Sequence, residues 1–150
     1  MVISRRRASV NDPEKAVGEV LRALTSRDID DVNVKEMMFA MGTNIKCVMM
    51  YLSIVSIGTA SSATSVPADC YREAIVEGSP RIIFLHNHPS GDLEASLADL
   101  DMCEKLRSAG EILGIEALDC IVFNTDGEWR SLISGVRGKL EETYVKMRRF

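Results

Sequence analysis

Two histidines stand one residue apart, directly after a run of apolar residues. They are His86 and His88, the only histidines in the chain, and the run at 81–85 predicts a buried central strand. If the extended backbone continues through Asn87, both imidazoles point to the same side of the sheet. Two imidazoles converging at the carboxyl end of a strand suit a borderline metal ion such as zinc.

A carboxylate follows on the next predicted helix. Ser96 can cap that helix, which places Asp99 in the first turn and facing back toward the strand end. Asp101 lies about 200° further around the helix, so the two carboxylates cannot face one ion, and the spacing favours Asp99. Alone, Ser-x-x-Asp is typical of a capping box, and a His-x-His pair is more often structural. Their combination across the loop at 89–91 is more specific and predicts a metal site.

The surrounding sequence predicts one mixed α/β domain, with helices packed on a central sheet. Gly78 and Gly110 are the expected ends of two helices. One of those helices is expected to bury an apolar face of Leu97, Leu100, Cys103 and Leu106. The predicted elements are a helix from an entrance at 11–14 to about 26, strands at 34–41 and 47–57, a polar connection at 61–65, a helix at 67–76, a strand at 81–85, a helix at 96–109, strands at 118–123 and 129–133, and a helix at about 138–148.

The motif HNHPSGD at 86–92, followed by Ser96 and Asp99, resembles the JAMM signature of JAB/MPN-domain metalloproteins in its bacterial RadC-like version. Further matches are VSIGT at 55–59, VPAD at 66–69 and LGI at 113–115, and the similarity covers about 35–133. The resemblance implies a cytidine-deaminase-like, three-layer α/β fold. It also implies a division into a basic N-terminal segment and helix, 1–34, and a RadC-like JAB/MPN domain, 35–150.

The resemblance further implies the roles of five residues. His86, His88 and Asp99 are the expected ligands of one zinc ion, with water as the fourth ligand. Glu36 matches the position of a glutamate on the first strand that acts as general acid/base, and composition alone does not select it. Ser96 is expected beside the ligands, with its hydroxyl donating to a developing oxyanion. The implied function is zinc-dependent hydrolysis of peptide or isopeptide bonds in a peptide or protein substrate.

Four residues depart from the family pattern. Ala95 stands where the family usually has proline, and Cys120 replaces a histidine that often follows Leu-Asp. Val66 and Ala68 alter the entrance of the 67–76 helix. These changes remove no expected ligand, but they put in doubt contacts with substrate or partner at those positions. The helical DNA-binding region that commonly precedes this domain is not expected in the residues before Glu36.

Composition limits the alternatives. The net charge of −4 and pI of about 5.2 argue against strong DNA binding and against a nuclease interpretation of the literal His-Asn-His string. No apolar run is long enough to span a membrane and no secretory signal is present, so a cytoplasmic protein is expected. The four cysteines lack CxxC spacing and fit free thiols, and the basic clusters at 5–7 and 146–149 fit solvated ends.

One alternative function stays open at this point. A non-catalytic metal-binding module, associated with DNA repair or protein–protein interaction, would share the fold without needing all five residues. The sequence specifies neither the substrate nor the oligomeric state.

Overall fold

A seven-stranded mixed sheet with helices on both faces forms the protein, in a computed structural model that describes residues 1–58 and 66–141. Its elements are β1 (Val2–Ser4), α1 (Pro13–Ser26), a 3-10 turn (Asp31–Asn33), β2 (Glu36–Thr43), β3 (Met49–Gly58), α2 (Pro67–Glu77), β4 (Arg81–Asn87), α3 (Leu97–Leu113), β5 (Glu116–Phe123), β6 (Glu128–Ser131) and β7 (Arg137–Lys139). The strand order is β1-β3-β2-β4-β5-β6-β7, in which β4 and β5 are parallel and the other neighbours antiparallel. The predicted mixed α/β class is confirmed.

Alternation along the central strands builds a core on each face of the sheet. In β2, Met37, Phe39 and Met41 pack into the core that contains α1, whereas Met38 and Ala40 pack into the core that contains α2 and α3. Because β2 and β4 are buried on both faces, the side chains at the ends of these strands are held in fixed positions. The N-terminal β1 and α1 belong to the same sheet and core as the rest of the chain. None of the helices in the described ranges is long and apolar enough to cross a membrane.

The predicted end of α3 at Gly110 is wrong. The helix continues past Gly110 to Leu113 and ends at Gly114, whose φ of 72° is left-handed. Gly110 is needed for packing, because an added Cβ would lie 2.5 Å from the hydroxyl oxygen of Tyr71. That hydroxyl donates to the Leu106 carbonyl at 2.6 Å and ties α2 to α3.

The first turn of α3 corrects the predicted apolar face. Leu97 and Leu100 are 81% and 43% exposed, so only Cys103 and Leu106 of the expected face are buried. The inward stripe consists of Asp99, Met102, Cys103, Leu106 and Gly110. A carboxylate therefore occupies the position on this stripe where an apolar side chain was expected.

The predicted helix at about 138–148 is wrong at its start. Residues Arg137–Lys139 form β7, which pairs antiparallel with β6 and places Gly138 opposite Trp129. The indole packs directly on the Gly138 backbone, where an added Cβ would lie 2.4 Å from a ring carbon, and Leu140 is buried in the α1-side core. Residues 140 and 141 are not helical either, and the remainder of that predicted helix at 142–148, the basic cluster at 146–149 and the polar connection at 61–65 lie outside the described residues. At the opposite edge, the sequence did not predict β1.

Candidate metal centre

The end of β4 carries the two histidines on the side of the sheet covered by α3. Ile82 and Phe84 belong to the core on that side, and His86 continues their alternation. His88 follows the strand, and its N–H donates to the Phe123 carbonyl at 2.9 Å, which prolongs the parallel pairing with β5. The two imidazole centroids are 5.0 Å apart, so both rings converge on one volume.

Asp99 faces the two rings from the first turn of α3. Its Oδ1 lies 3.2 Å from the Nε2 of His86, and its Oδ2 lies 3.3 Å from the Nε2 of His88. One ligand atom from each residue lies within 4.8 Å of the others, a grouping that could hold a metal ion. The three expected ligands therefore come together.

The hydrogen bonds around the rings fit a cation at this place. The Nδ1 of His88 lies 2.7 Å from the Asp92 carbonyl, which can only accept, so Nδ1 carries a proton and Nε2 presents a lone pair whenever the ring is neutral. The Nε2 of His86 is buried without a hydrogen-bond partner in the described part of the chain. Two imidazole nitrogens and a carboxylate oxygen match the ligands that zinc takes in proteins.

The electrostatics of the site show how strongly these groups interact. Donation from the protonated His88 ring to the Asp99 carboxylate raises the pKa of His88 above its ordinary value, against the opposing effect of burial. Burial acts to raise the pKa of Asp99, but the neighbouring imidazoles of His86 and His88 outweigh it and hold that pKa far below its usual range. The carboxylate is therefore ionised and ready to accept a positive charge, from a proton on imidazole or from a metal.

Glu36 begins β2 at the same end of the sheet. The β2–β4 pairing starts at Met38 opposite His86, so that Glu36, two residues earlier, projects from the same face as those histidines. The side chain is half-buried, and burial raises its pKa while the positive charges of His88 and His86 act to lower it. The structure thus brings Glu36 near the cluster; its catalytic role stays a prediction.

Ser96 caps α3 and is tied to Asp99 in a reciprocal pair of hydrogen bonds. Its Oγ accepts from the Asp99 N–H at 3.1 Å, and its own N–H donates to the Asp99 Oδ2 at 2.9 Å. The capping box that the spacing suggested is therefore present, and it also orients the carboxylate toward the histidines. Because Oγ accepts in this contact, its hydroxyl proton remains available for donation.

A buried asparagine anchors the loop between the histidines and α3. Asn124 is 2% exposed, and its Nδ2 donates to the Gly91 carbonyl at 3.0 Å. Its Oδ1 accepts from the Asp126 and Glu128 N–H groups within the β5–β6 turn. Gly91 precedes Asp92, whose carbonyl fixes the His88 ring, so Asn124 supports the ring through the loop.

A second asparagine, Asn87, has no predicted role although it lies between the two histidines. It is fully buried and makes three hydrogen bonds to backbone atoms at the entrance of β2. A signal was present in the sequence: alternation places this residue on the opposite side of a buried strand from His86 and His88. A buried amide there must find partners.

None of the four departures from the family pattern is among the three grouped ligands. Cys120 is buried in the core between the sheet and α3, and all four cysteines are free thiols. Val66 caps α2 with no side-chain hydrogen bond, while Ala68 is exposed and Ala95 half-buried. Their effect on contacts with a substrate or partner stays a prediction.

Comparison with known proteins agrees with this geometry. The sequence model of the family described as RadC-like JAB domain matches residues 11–148 of this chain. A UPF0758 protein of Pelodictyon phaeoclathratiforme is 34% identical over 79% of this chain and 53% of its own length. Others from Desulforudis audaxviator and Desulforamulus reducens are 34% and 35% identical over 83% and 85% of this chain. The chain spans about half the length of these curated relatives. It belongs to the RadC-like JAB domain family.

Proposed function

We propose that this domain is a zinc-dependent hydrolase of the JAMM type, acting on peptide or isopeptide bonds. The observation that carries the proposal is the convergence of two Nε2 atoms and one carboxylate, with a further carboxylate close by on the neighbouring strand. Three protein ligands leave a tetrahedral ion with one open position, the arrangement typical of catalytic rather than structural zinc. Bound there, zinc would polarise a carbonyl group and lower the pKa of a water to about 7.

Glu36 is the proposed proton carrier. It is not one of the three grouped ligands, yet it interacts electrostatically with all of them. A carboxylate in this position accepts a proton from the attacking water and returns it to the leaving amine. Its partial burial limits competition from bulk water for that proton.

Ser96, held by the capping box, is proposed to stabilise the negative charge that develops on the substrate carbonyl oxygen. The Ser96 hydroxyl is exposed, and its oxygen is held in place by the Asp99 N–H. From there it can donate to the oxyanion that develops on the substrate carbonyl. One side chain thus caps the helix, orients a ligand and offers a donor.

The test is cleavage by the zinc-loaded protein of a panel of peptides and lysine-linked isopeptides. Glu36→Gln should retain one zinc per chain while lowering kcat at least about 100-fold, because general acid–base catalysis contributes about 10²–10⁴-fold. Glu14→Gln, an exposed position in the first turn of α1, is the matched control and should keep full activity. Equal activity in Glu36→Gln and wild type would overturn the assignment of Glu36.

The second candidate is a metal-binding module without catalysis. It is favoured by the capping box, since Asp99 already accepts from the Ser96 backbone N–H and lies against both histidines, which gives the cluster a structural use. If wild type binds zinc but cleaves nothing in the panel, and instead binds DNA in a salt-sensitive way, this candidate replaces the hydrolase. We further propose a cytoplasmic location, which the free thiols support.

A further inference from the structure

The side chain of Asn87 holds both peptide groups that flank Glu36. Its Nδ2 donates to the Lys35 carbonyl at 2.9 Å, and its Oδ1 accepts from the Met37 N–H at 2.7 Å. The same Nδ2 also donates to the Val32 carbonyl at 2.7 Å. One amide therefore fixes the backbone immediately before and immediately after Glu36.

These bonds extend the contact between β2 and β4 beyond the regular pairing of the two strands. Strand β2 pairs with β3 as far as Glu36, but its pairing with β4 runs only from Thr43–Arg81 to Met38–His86. Beyond that point, the contacts of Asn87 join β2 to β4. Without them, the two peptide groups on either side of Glu36 would lose a buried partner each.

The position of Asn87 in the chain connects these contacts to the metal ligands. It lies between His86 and His88, and its side chain points away from theirs. A shift of the histidines along β4 therefore moves Asn87, and Asn87 moves the backbone of Glu36. The ligand strand and the proton carrier are mechanically linked through one residue.

We propose that Asn87 is a positioning residue, which sets the Glu36 carboxylate relative to the metal ligands; this inference rests on the proposed hydrolase function. Asn87 touches neither metal nor substrate and acts only through Glu36. Removing its amide leaves the ligands in place but takes away the hold of β4 on the backbone of Glu36, which then keeps only its pairing with β3. The substitution is therefore expected to lower kcat and to leave zinc affinity unchanged.

The matched comparison is the same substitution at the two buried asparagines. Asn87→Ser should keep zinc stoichiometry and affinity, lower kcat about 100-fold, as expected for small misplacements of a catalytic group, and leave KM nearly unchanged. Asn124→Ser, which frees the Gly91 carbonyl, should instead weaken zinc affinity about 10-fold. At saturating zinc, Asn124→Ser should recover most of its kcat.

A double-mutant cycle separates positioning from a general structural effect. In a Glu36→Gln background, Asn87→Ser should cost no further activity, because the group through which it acts is gone. Additive losses, a wild-type kcat in Asn87→Ser, or zinc loss in proportion to activity would each overturn the proposal.

Hydrogen exchange provides a readout that does not depend on activity. Amides of the segment 32–38 should lose protection in zinc-loaded Asn87→Ser but keep it in Asn124→Ser. If wild type has no hydrolase activity, the proposed function fails, and this exchange measurement still decides whether Asn87 holds Glu36. If Asn87→Ser does not fold, Asn87→Asp, which keeps the acceptor for Met37 but loses both donors, replaces it. Unchanged protection in the variant that folds contradicts the inference.

Discussion

Replacing Asp99 by asparagine tests the metal centre most directly. Asp99 supplies the only negative charge among the three grouped ligands and contacts both histidines. Partners that merely orient metal ligands contribute about 10–100-fold to affinity, so loss of a direct, anionic ligand should cost at least about 100-fold. Asp101→Asn is the control, because that carboxylate is exposed and lies two residues further along the same helix.

The expected size of the effect follows from linkage between binding and folding. At a zinc concentration about 100 times Kd, binding stabilises the wild type by about 2.7 kcal/mol. At the same concentration, a 100-fold weaker site gains only about 0.4 kcal/mol. Since about 1 kcal/mol moves the Tm of a domain of this size by about 2–4 °C, zinc should raise the wild-type Tm by about 5–11 °C and that of Asp99→Asn by about 1 °C.

The assay is thermal unfolding of wild type, Asp99→Asn and Asp101→Asn, each with a chelator and with zinc. Comparing each protein with its own chelated form removes the effect of Asp99→Asn on the capping box, which alone is worth about 1 kcal/mol. The reasoning is refuted if Asp99→Asn retains the full zinc-dependent shift, or if Asp101→Asn loses it.

Three further outcomes are expected. His88→Ala should bring bound zinc, measured by atomic absorption, from close to one per chain to none; unchanged metal content would end the assignment. Zinc affinity should rise with pH through the raised pKa of His88, because the protonated ring must release its proton before binding; calorimetry in buffers of different ionisation enthalpy counts that proton, and a pH-independent affinity would contradict it. Gly138→Ala should destabilise by about 1–3 kcal/mol in urea unfolding, because the new methyl group meets Trp129; a stabilised variant would favour the helix over β7.

Much of the ligand set could be predicted from the sequence because its residues are close together in the chain. His86 and His88 follow from a period of two at the end of a buried strand, and Asp99 from a capped helix start. The geometry confirms that these side chains converge. Glu36 required the family resemblance, since its approach depends on pairing between strands far apart in sequence.

The errors have a common physical origin in tertiary contacts. The apolar periodicity of α3 suggested that Leu97 faces the core, but the first turn lies over the histidines and its inward position belongs to Asp99. Gly110 resembled a helix end, but it allows the approach of Tyr71 instead. Local pattern cannot distinguish a glycine that ends a helix from one that admits a neighbour.

The closeness of the three ligands in the sequence also has a consequence for how the protein folds. Strand β4, the following loop and α3 form one continuous unit that contains all three ligands, whereas β2 must close a loop of about 50 residues to bring Glu36 beside them. A partly folded chain can therefore hold a cation before its proton carrier has docked. Metal capture and the assembly of a reactive centre then become separate events, and an ion present during refolding would favour the first without hastening the second.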